Sequence, residues 1–230
     1  HSTAAFGGGA LSLAAAGALL THLKQTQQQS LINITSLRPI PTQDLMRIHP
    51  LALKDLDLIP LSSGQKGNTL FHLLDETVTA MGGRLLKESI LRPLLSIHAI
   101  QKRQEGVAFF HEQLALRKGL RDLLKQIFDL ERLIGRITLR AAQPRDLIAL
   151  KEAVILLPEI QKIMHHVEGR TTAYCPPELI TALLEKWDNL ETVYQLIHQA
   201  IVPDPPFSLK DGGIINAGYL PELDTLRHFQ

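Results

Sequence analysis

The chain has 230 residues, of which 45% are apolar and 5% aromatic, and its net charge is +1. That length can bury a proper core and that apolar share excludes a disordered chain, while the near-zero total excludes strong global attraction to nucleic acid. A single cysteine, Cys175, excludes an intrachain disulfide and a cysteine metal cluster.

In chain order, the uncharged run Ala4–Leu20 comes first and is the only membrane candidate. It is slightly short, rich in Ala and Gly, and lacks a basic leader. It therefore reads as a loop ending at Gly9 and a buried helix over residues 10–29. His1 is not an initiator residue, from which we expect a piece of a longer protein. Pro39, Pro41 and the β-branched Ile32, Ile34, Thr35 and Thr42 predict an extended passage over residues 31–48, with a short strand near Leu45–Ile48. His49-Pro50 opens a short helix, because proline suits a first helical turn. Ser62–Gly67 reads as a polar loop, and helices follow from Thr69.

Leu116, Leu120, Leu123, Ile127, Leu130, Ile134 and Ile137 step by fours and threes, which places them on one stripe of one helix. Charges at the flanking positions are not systematic, so a bundle fits better than a coiled coil. Pro144 starts the next helix, with Leu147, Leu150, Val154 and Leu157 facing inward and Pro158 ending or kinking it. After Pro176-Pro177, the positions Leu179, Leu183, Trp187, Leu190, Tyr194 and Ile197 predict a strut to about Ile201, roughly 37 Å long. A last helix starts near Pro221 and presents Leu220, Leu223, Leu226 and Phe229 as an apolar stripe. The fold class is all-α: a multi-helix domain with long helices and one short extended segment near the N-terminus.

Charge is unevenly spread. Residues 82–170 hold 16 basic against 10 acidic side chains, and residues 171–230 hold 3 against 8. A basic middle suits a face turned towards DNA or an acidic partner, and equally suits ordinary charged helix surfaces. Chemistry is harder to find. No Gly-Lys dipeptide exists, so no phosphate-cradling Walker loop is present, and Gly64–Thr69 has the wrong spacing for one. His165-His166 point about 100° apart on a helix, and His111-Glu112 lacks a second histidine four residues on. We expect no catalytic residue, no metal site and no cofactor site in this chain.

Three collinear stretches carry a resemblance. They are Thr77-Val78-Thr79-Ala80-Met81-Gly82-Gly83-Arg84-Leu85-Leu86-Lys87, then Asp129-Leu130-Glu131-Arg132-Leu133 with Ala142-Gln143-Pro144-Arg145-Asp146-Leu147, and finally Ile201–Pro206 with Asp211-Gly212-Gly213-Ile214 and Gly218-Tyr219-Leu220-Pro221-Glu222-Leu223-Asp224. Together they resemble the core, or lever, domain of the MutS family of bacterial DNA mismatch-recognition proteins. The resemblance covers roughly residues 10 to 230. It departs at Glu88–Leu91, where the family usually carries a tryptophan, and at Gly135, where serine or alanine is commoner.

The resemblance implies residues 1–30 as the tail of a connector domain and 31–230 as the helical core, cut before a clamp insertion. It implies a mechanical relay that joins mismatched-DNA binding to a DNA-dependent ATPase lying elsewhere in a parent protein. ATP and Mg²⁺ would belong to that parent, as would a homodimer, contact with mismatched duplex DNA through other domains, and a MutL partner. The expected location is cytoplasmic, without a membrane role. A wedge of Phe and Glu two residues apart, used by the family in an N-terminal domain, is not expected in this stretch. The alternative reading is a helical DNA-binding module that uses the basic middle without sequence preference.

Structural or hinge candidates follow from the same stretches. Gly82 and Gly83 would permit a close approach or a left-handed backbone between packed elements. Arg84 belongs to the first motif. Glu131, Arg132, Arg136, Arg145 and Asp146 are candidates for ion pairs between neighbouring helices, with solvated surface charge as the alternative. Asp211, Gly212 and Gly213 form a turn about which the final helix would pivot, with an ordinary loop as the alternative.

Overall fold

Short polar caps start several helices of this chain. A computed structural model describes residues 9–26, 34, 44–60, 68–165 and 176–228. Its helices are α1 (Gly9–Thr26), α2 (Pro50–Asp55), α3 (Leu70–Leu74), α4 (Ala80–Leu91), α5 (Ile97–Glu112), α6 (Leu114–Leu124), α7 (Leu130–Thr138), α8 (Pro144–Val154), α9 (Leu157–His165), α10 (Glu178–Glu185), α11 (Glu191–Ala200) and α12 (Pro221–His228), with a 3-10 turn at Leu209–Asp211. Thr79, Ser96 and Asp129 each accept a backbone N–H from the first turn that follows, at 3.0, 3.4 and 3.2 Å. These side chains satisfy donors that a helix start leaves without intrahelical partners. Pro50, Pro144 and Pro221 each occupy a first helical position, where a missing N–H costs nothing.

Among the described residues there is no strand, so the class is all-α. The strand expected near Leu45–Ile48 is only an isolated antiparallel bridge, Leu45 to Leu94. Met46 N–H donates to the Pro93 carbonyl at 2.7 Å and Leu95 N–H to that of Asp44 at 2.9 Å. Pro93 has no N–H to extend the ladder.

Two expected long helices are each broken in two. The stripe from Leu116 to Ile137 divides at residues 125–129, where Gln126 and Ile127 bond back three residues and Asp129 restarts the chain as a new cap. The expected strut from Leu179 to Ile201 divides at residues 186–190. There the Asp188 carboxylate accepts the Leu190 N–H at 2.9 Å, and Leu190 itself is left-handed, with φ of 51°. Asp and Asn side chains compete for backbone bonds in this way, which favours a turn over continued helix. Trp187 Nε1 donates to Asn189, whose amide donates to Gln161 of α9, so the break is pinned rather than loose. The inward face of α10 is also shifted by one residue from expectation: Ile180 is buried, whereas Leu179 and Leu183 are exposed.

Phe109, Leu116, Ile160, Met164 and Ile180 form a core where α5, α6, α9 and α10 meet, with Ile127 and Trp187 packed on it from the two breaks. A second packed group joins α8 to α7 on one side and α11 on the other. Leu133, Ala153, Val154, Ile197 and Ile201 are its buried apolar residues. Pro158 falls in the first turn of α9, so it ends α8 and begins its successor.

The helix expected to be buried near the N-terminus is formed but not covered. Along α1, Leu11 is 85% exposed and Leu13 and Leu19 are also open. None of the described helices is long and apolar enough to cross a membrane. The expectations for Gly7–Gly8, residues 27–33 and 35–43, Ser62–Gly67, His166, Cys175 and Phe229 lie outside the described residues.

Candidate functional site: a line of arginine–carboxylate ties

The sequence stretches quoted above meet one another through arginines. Arg84, near the start of α4, reaches the N-terminus of α7. Its Nη1 and Nη2 donate to the two oxygens of Asp129 at 2.8 and 2.6 Å, and its Nε donates to Glu131 at 2.8 Å. Two parallel bonds to one carboxylate fix direction as well as distance. Asp129 also caps α7, so one side chain serves the helix and its neighbour. The hydrogen bond from Arg84 pulls the Asp129 carboxyl down to about 2, with the Arg132 N–H assisting and desolvation opposing. The same contacts hold the Arg84 guanidinium above its ordinary value.

The next tie repeats the device. Arg136 of α7 lies 2.7 Å from Asp146, whose other oxygen accepts the Gln143 N–H at the start of α8, at 2.9 Å. The last tie is looser. Arg145 of α8 stands 3.9 Å from Asp204, donates to the Pro205 carbonyl at 3.4 Å, and places its guanidinium 5.5 Å from the Phe207 ring. Asp204 is 96% exposed, so solvent screens this contact most. The line therefore runs from α4 through α7 and α8 to the segment after α11.

Other cations are also committed inside the fold. Arg121 of α6 donates to the Glu76 carbonyl just ahead of α4, and Arg117 donates to the carbonyls of Phe110 and His111 at the end of α5. Lys102 of α5 pairs with Glu178 of α10 and lowers that carboxyl, and Lys125 does the same to Asp122. Arg92 pairs with Glu88 within α4. Surface pairs contribute little to stability singly, so the ties matter for position.

The remaining candidates sit as follows. Gly82 and Gly83 lie inside the first turn of α4, and neither adopts the left-handed backbone that is one of the two expectations for them. Gly82 answers a close approach: a Cβ there would stand 3.0 Å from Thr79 Oγ1 and 3.4 Å from Thr77 Cβ. Arg132 gives Asp129 its backbone N–H, while Glu131 pairs with Arg84. Asp211 closes the 3-10 turn by accepting the Ser208 N–H at 3.2 Å, and Gly212 and Gly213 follow with φ of 69° and 65°. A Phe-x-Glu triplet does occur, contrary to expectation, as Phe110-His111-Glu112. Phe110 lies edge-on to Phe109 at 5.2 Å and packs against the core, so it is no exposed wedge. Reading from sequence passed over Asp129, although an aspartate directly before a leucine-rich helix is an N-cap signal. It also passed over Arg121, Asp204 and Asn216, whose partners lie too far along the chain for any local pattern to announce.

Among the described residues no group of His, Cys, Asp or Glu is placed to hold a metal ion. Helices joined end to end by paired charges define a helical structural module. The sequence pattern described as MutS domain III matches residues 51–227. The chain is 40% identical over 217 residues to the DNA mismatch repair protein MutS of Alkaliphilus oremlandii, which covers 94% of this chain and 24% of that protein. It is 38% identical over 218 residues to the MutS of Symbiobacterium thermophilum, covering 94% and 24%. For the MutS of Oleidesulfovibrio alaskensis the identity is 35% over 222 residues, covering 92% and 25%. The chain belongs to the MutS family, as a stretch that contains its domain III, and spans about a quarter of the length of these relatives.

Proposed function

We propose that this chain is the relay module of a MutS-type mismatch-repair protein. It couples the grip on mismatched duplex DNA, made by other parts of a longer homodimeric protein, to an ATPase located elsewhere in that protein and to a MutL partner. Residues 1–30 belong to a preceding connector domain and 31–230 to the core itself. The chain has no catalytic role of its own and takes no cofactor.

The observation that supports this reading is the line of ties from Arg84 to Asp204. A relay needs helices whose relative positions are fixed by directional contacts, so that displacement at one end is felt at the other. Capping carboxylates that also hold an arginine of another helix meet that need. The alternative, a DNA-binding module using the basic middle, is disfavoured by the same contacts. Arg84, Arg92, Lys102, Arg117, Arg121, Lys125, Arg136 and Arg145 are already engaged within the fold.

The test is made in the full-length protein, with Arg84→Met and Arg136→Met singly and together. DNA affinity without nucleotide and ATP turnover without DNA should stay within about twofold. The ATP-induced release from a G·T duplex should lose roughly fivefold or more of its dependence on nucleotide, the lower end of ordinary coupling energies. Unchanged dependence in the double variant sinks the relay reading. A steep salt dependence of DNA binding by the 230-residue chain alone would favour the alternative instead.

A further inference from the structure

The direction of α12 is set by side-chain and backbone hydrogen bonds more than by burial. Leu226 is 65% exposed, Leu220 is exposed too, and of residues 220–227 only Leu223 and Asp224 are half-buried. The strap that precedes α12, residues 214–216, is bonded to the end of α11 on both sides. Val202 N–H donates to the Ile214 carbonyl and Asn216 N–H to that of Ala200, each at 2.9 Å. The Asn216 amide nitrogen then stands 3.2, 2.9 and 3.0 Å from the carbonyls of His198, Gln199 and Ile201. One side chain thus serves carbonyls that the end of α11 leaves without intrahelical partners.

From the strap the bonding passes into α12. The Asp224 carboxylate accepts the Gly218 N–H at 2.6 Å and faces Arg227 at 3.3 Å. Arg227 in turn donates to the Ile215 carbonyl at 3.0 Å. Gly218, at φ of 82°, supplies the reversal that aims its N–H at Asp224; a Cβ there would meet nothing within 4 Å, so backbone angle and not space demands glycine.

We propose that Asp224, with Arg227 and Asn216, forms a lock that fixes the attitude of α12 relative to α11. These are positioning residues: they act through the strap. Hydrogen bonds of this kind exchange with water at small net cost, so a lock built from them can open where a buried apolar seam would resist. Opening at Asp224 frees α12 while the α7–α8–α11 group stays packed. The proposal deepens the relay reading and rests on it for the use made of the lock. Failure of the distance measurement below removes the lock, whereas failure of the nucleotide-dependence measurement above removes the relay.

The experiment is a spin-label distance measurement on the 230-residue chain with Cys175→Ser. One label pair, Thr192→Cys with Leu226→Cys, spans α11 and α12. A second pair, Glu152→Cys with Thr192→Cys, spans α8 and α11 and reports the body. The background protein should give a narrow distribution for both pairs. Asp224→Ala and Arg227→Ala should broaden the first pair and leave the second unchanged, and Asp224→Asn, which keeps an acceptor for Gly218, should fall between. Glu222→Gln, a neighbouring change outside the lock, should leave both pairs as they were. A first pair that stays narrow in both alanine variants overturns the proposal, and so does broadening of both pairs together, which would mark general loosening.

Discussion

Gly135→Ala should stabilise this protein. Gly135 is the sixth residue of the nine in α7, well inside the helix, and a Cβ built there meets nothing within 4 Å. Its backbone has no left-handed angle to lose. Glycine in a helix interior is less favourable than alanine by about 1 kcal/mol, mostly through the freedom of the unfolded chain. With no clash to subtract, nearly all of that should be recovered. For a chain of this size the melting temperature should rise by about 2–4 °C. Gly82→Ala is the contrasting case. It carries the same propensity gain, but its Cβ would press Thr79 Oγ1 at 3.0 Å, and that oxygen is the cap of α4. Losing a cap costs about 1 kcal/mol, so the gain is offset and the variant should melt at or below the parent. Both are read by far-ultraviolet circular dichroism melts at one protein concentration. A Gly135→Ala variant that melts no higher than the parent would refute the reasoning, since no contact stands against it.

Phe109→Ala removes the most buried aromatic of the main core, at 4% exposure, and should cost about 3–5 kcal/mol in denaturant unfolding, whereas Phe207→Ala on the exposed loop should stay within about 0.5 kcal/mol. Asp129 is depressed in the folded chain, so its stabilisation is complete above the ordinary 3.8 and is lost as pH falls towards about 2; acid titration of Arg84→Met should show a shallower loss in that window. The bare leucines of α1 should drive self-association at high concentration, seen by sedimentation velocity and abolished in a Leu11→Glu, Leu19→Glu double variant. Isothermal titration of the chain with ATP and Mg²⁺ should give no saturable micromolar binding.

Read alone, the sequence determined the class, the family and the helix starts at Pro50, Pro144 and Pro221. Apolar spacing names helices, prolines and capping residues mark where they begin, and three collinear motifs carry the resemblance; each of these signals is contained within a few neighbouring residues. Where helices stop was less legible. The apolar spacing runs on in the sequence through Ile127 and Trp187, which pack on the core from turns and not from helix. Apolar spacing names side chains available for burial, but the register slips at the breaks: Leu133 and Ile180 are buried, whereas Ile134, Leu179 and Leu183 of the expected stripes are exposed. The covering of α1 was equally out of reach, since an apolar helix looks buried whether or not anything lies over it. Only the tertiary structure decided how the arginines are used. Arg84 and Asp129 lie 45 residues apart, and Asn216 stands 15 residues or more beyond the carbonyls it caps. An arginine's charge is written in the chain, but its partner is chosen by the packing of helices that brings one carboxylate, and not another, within reach.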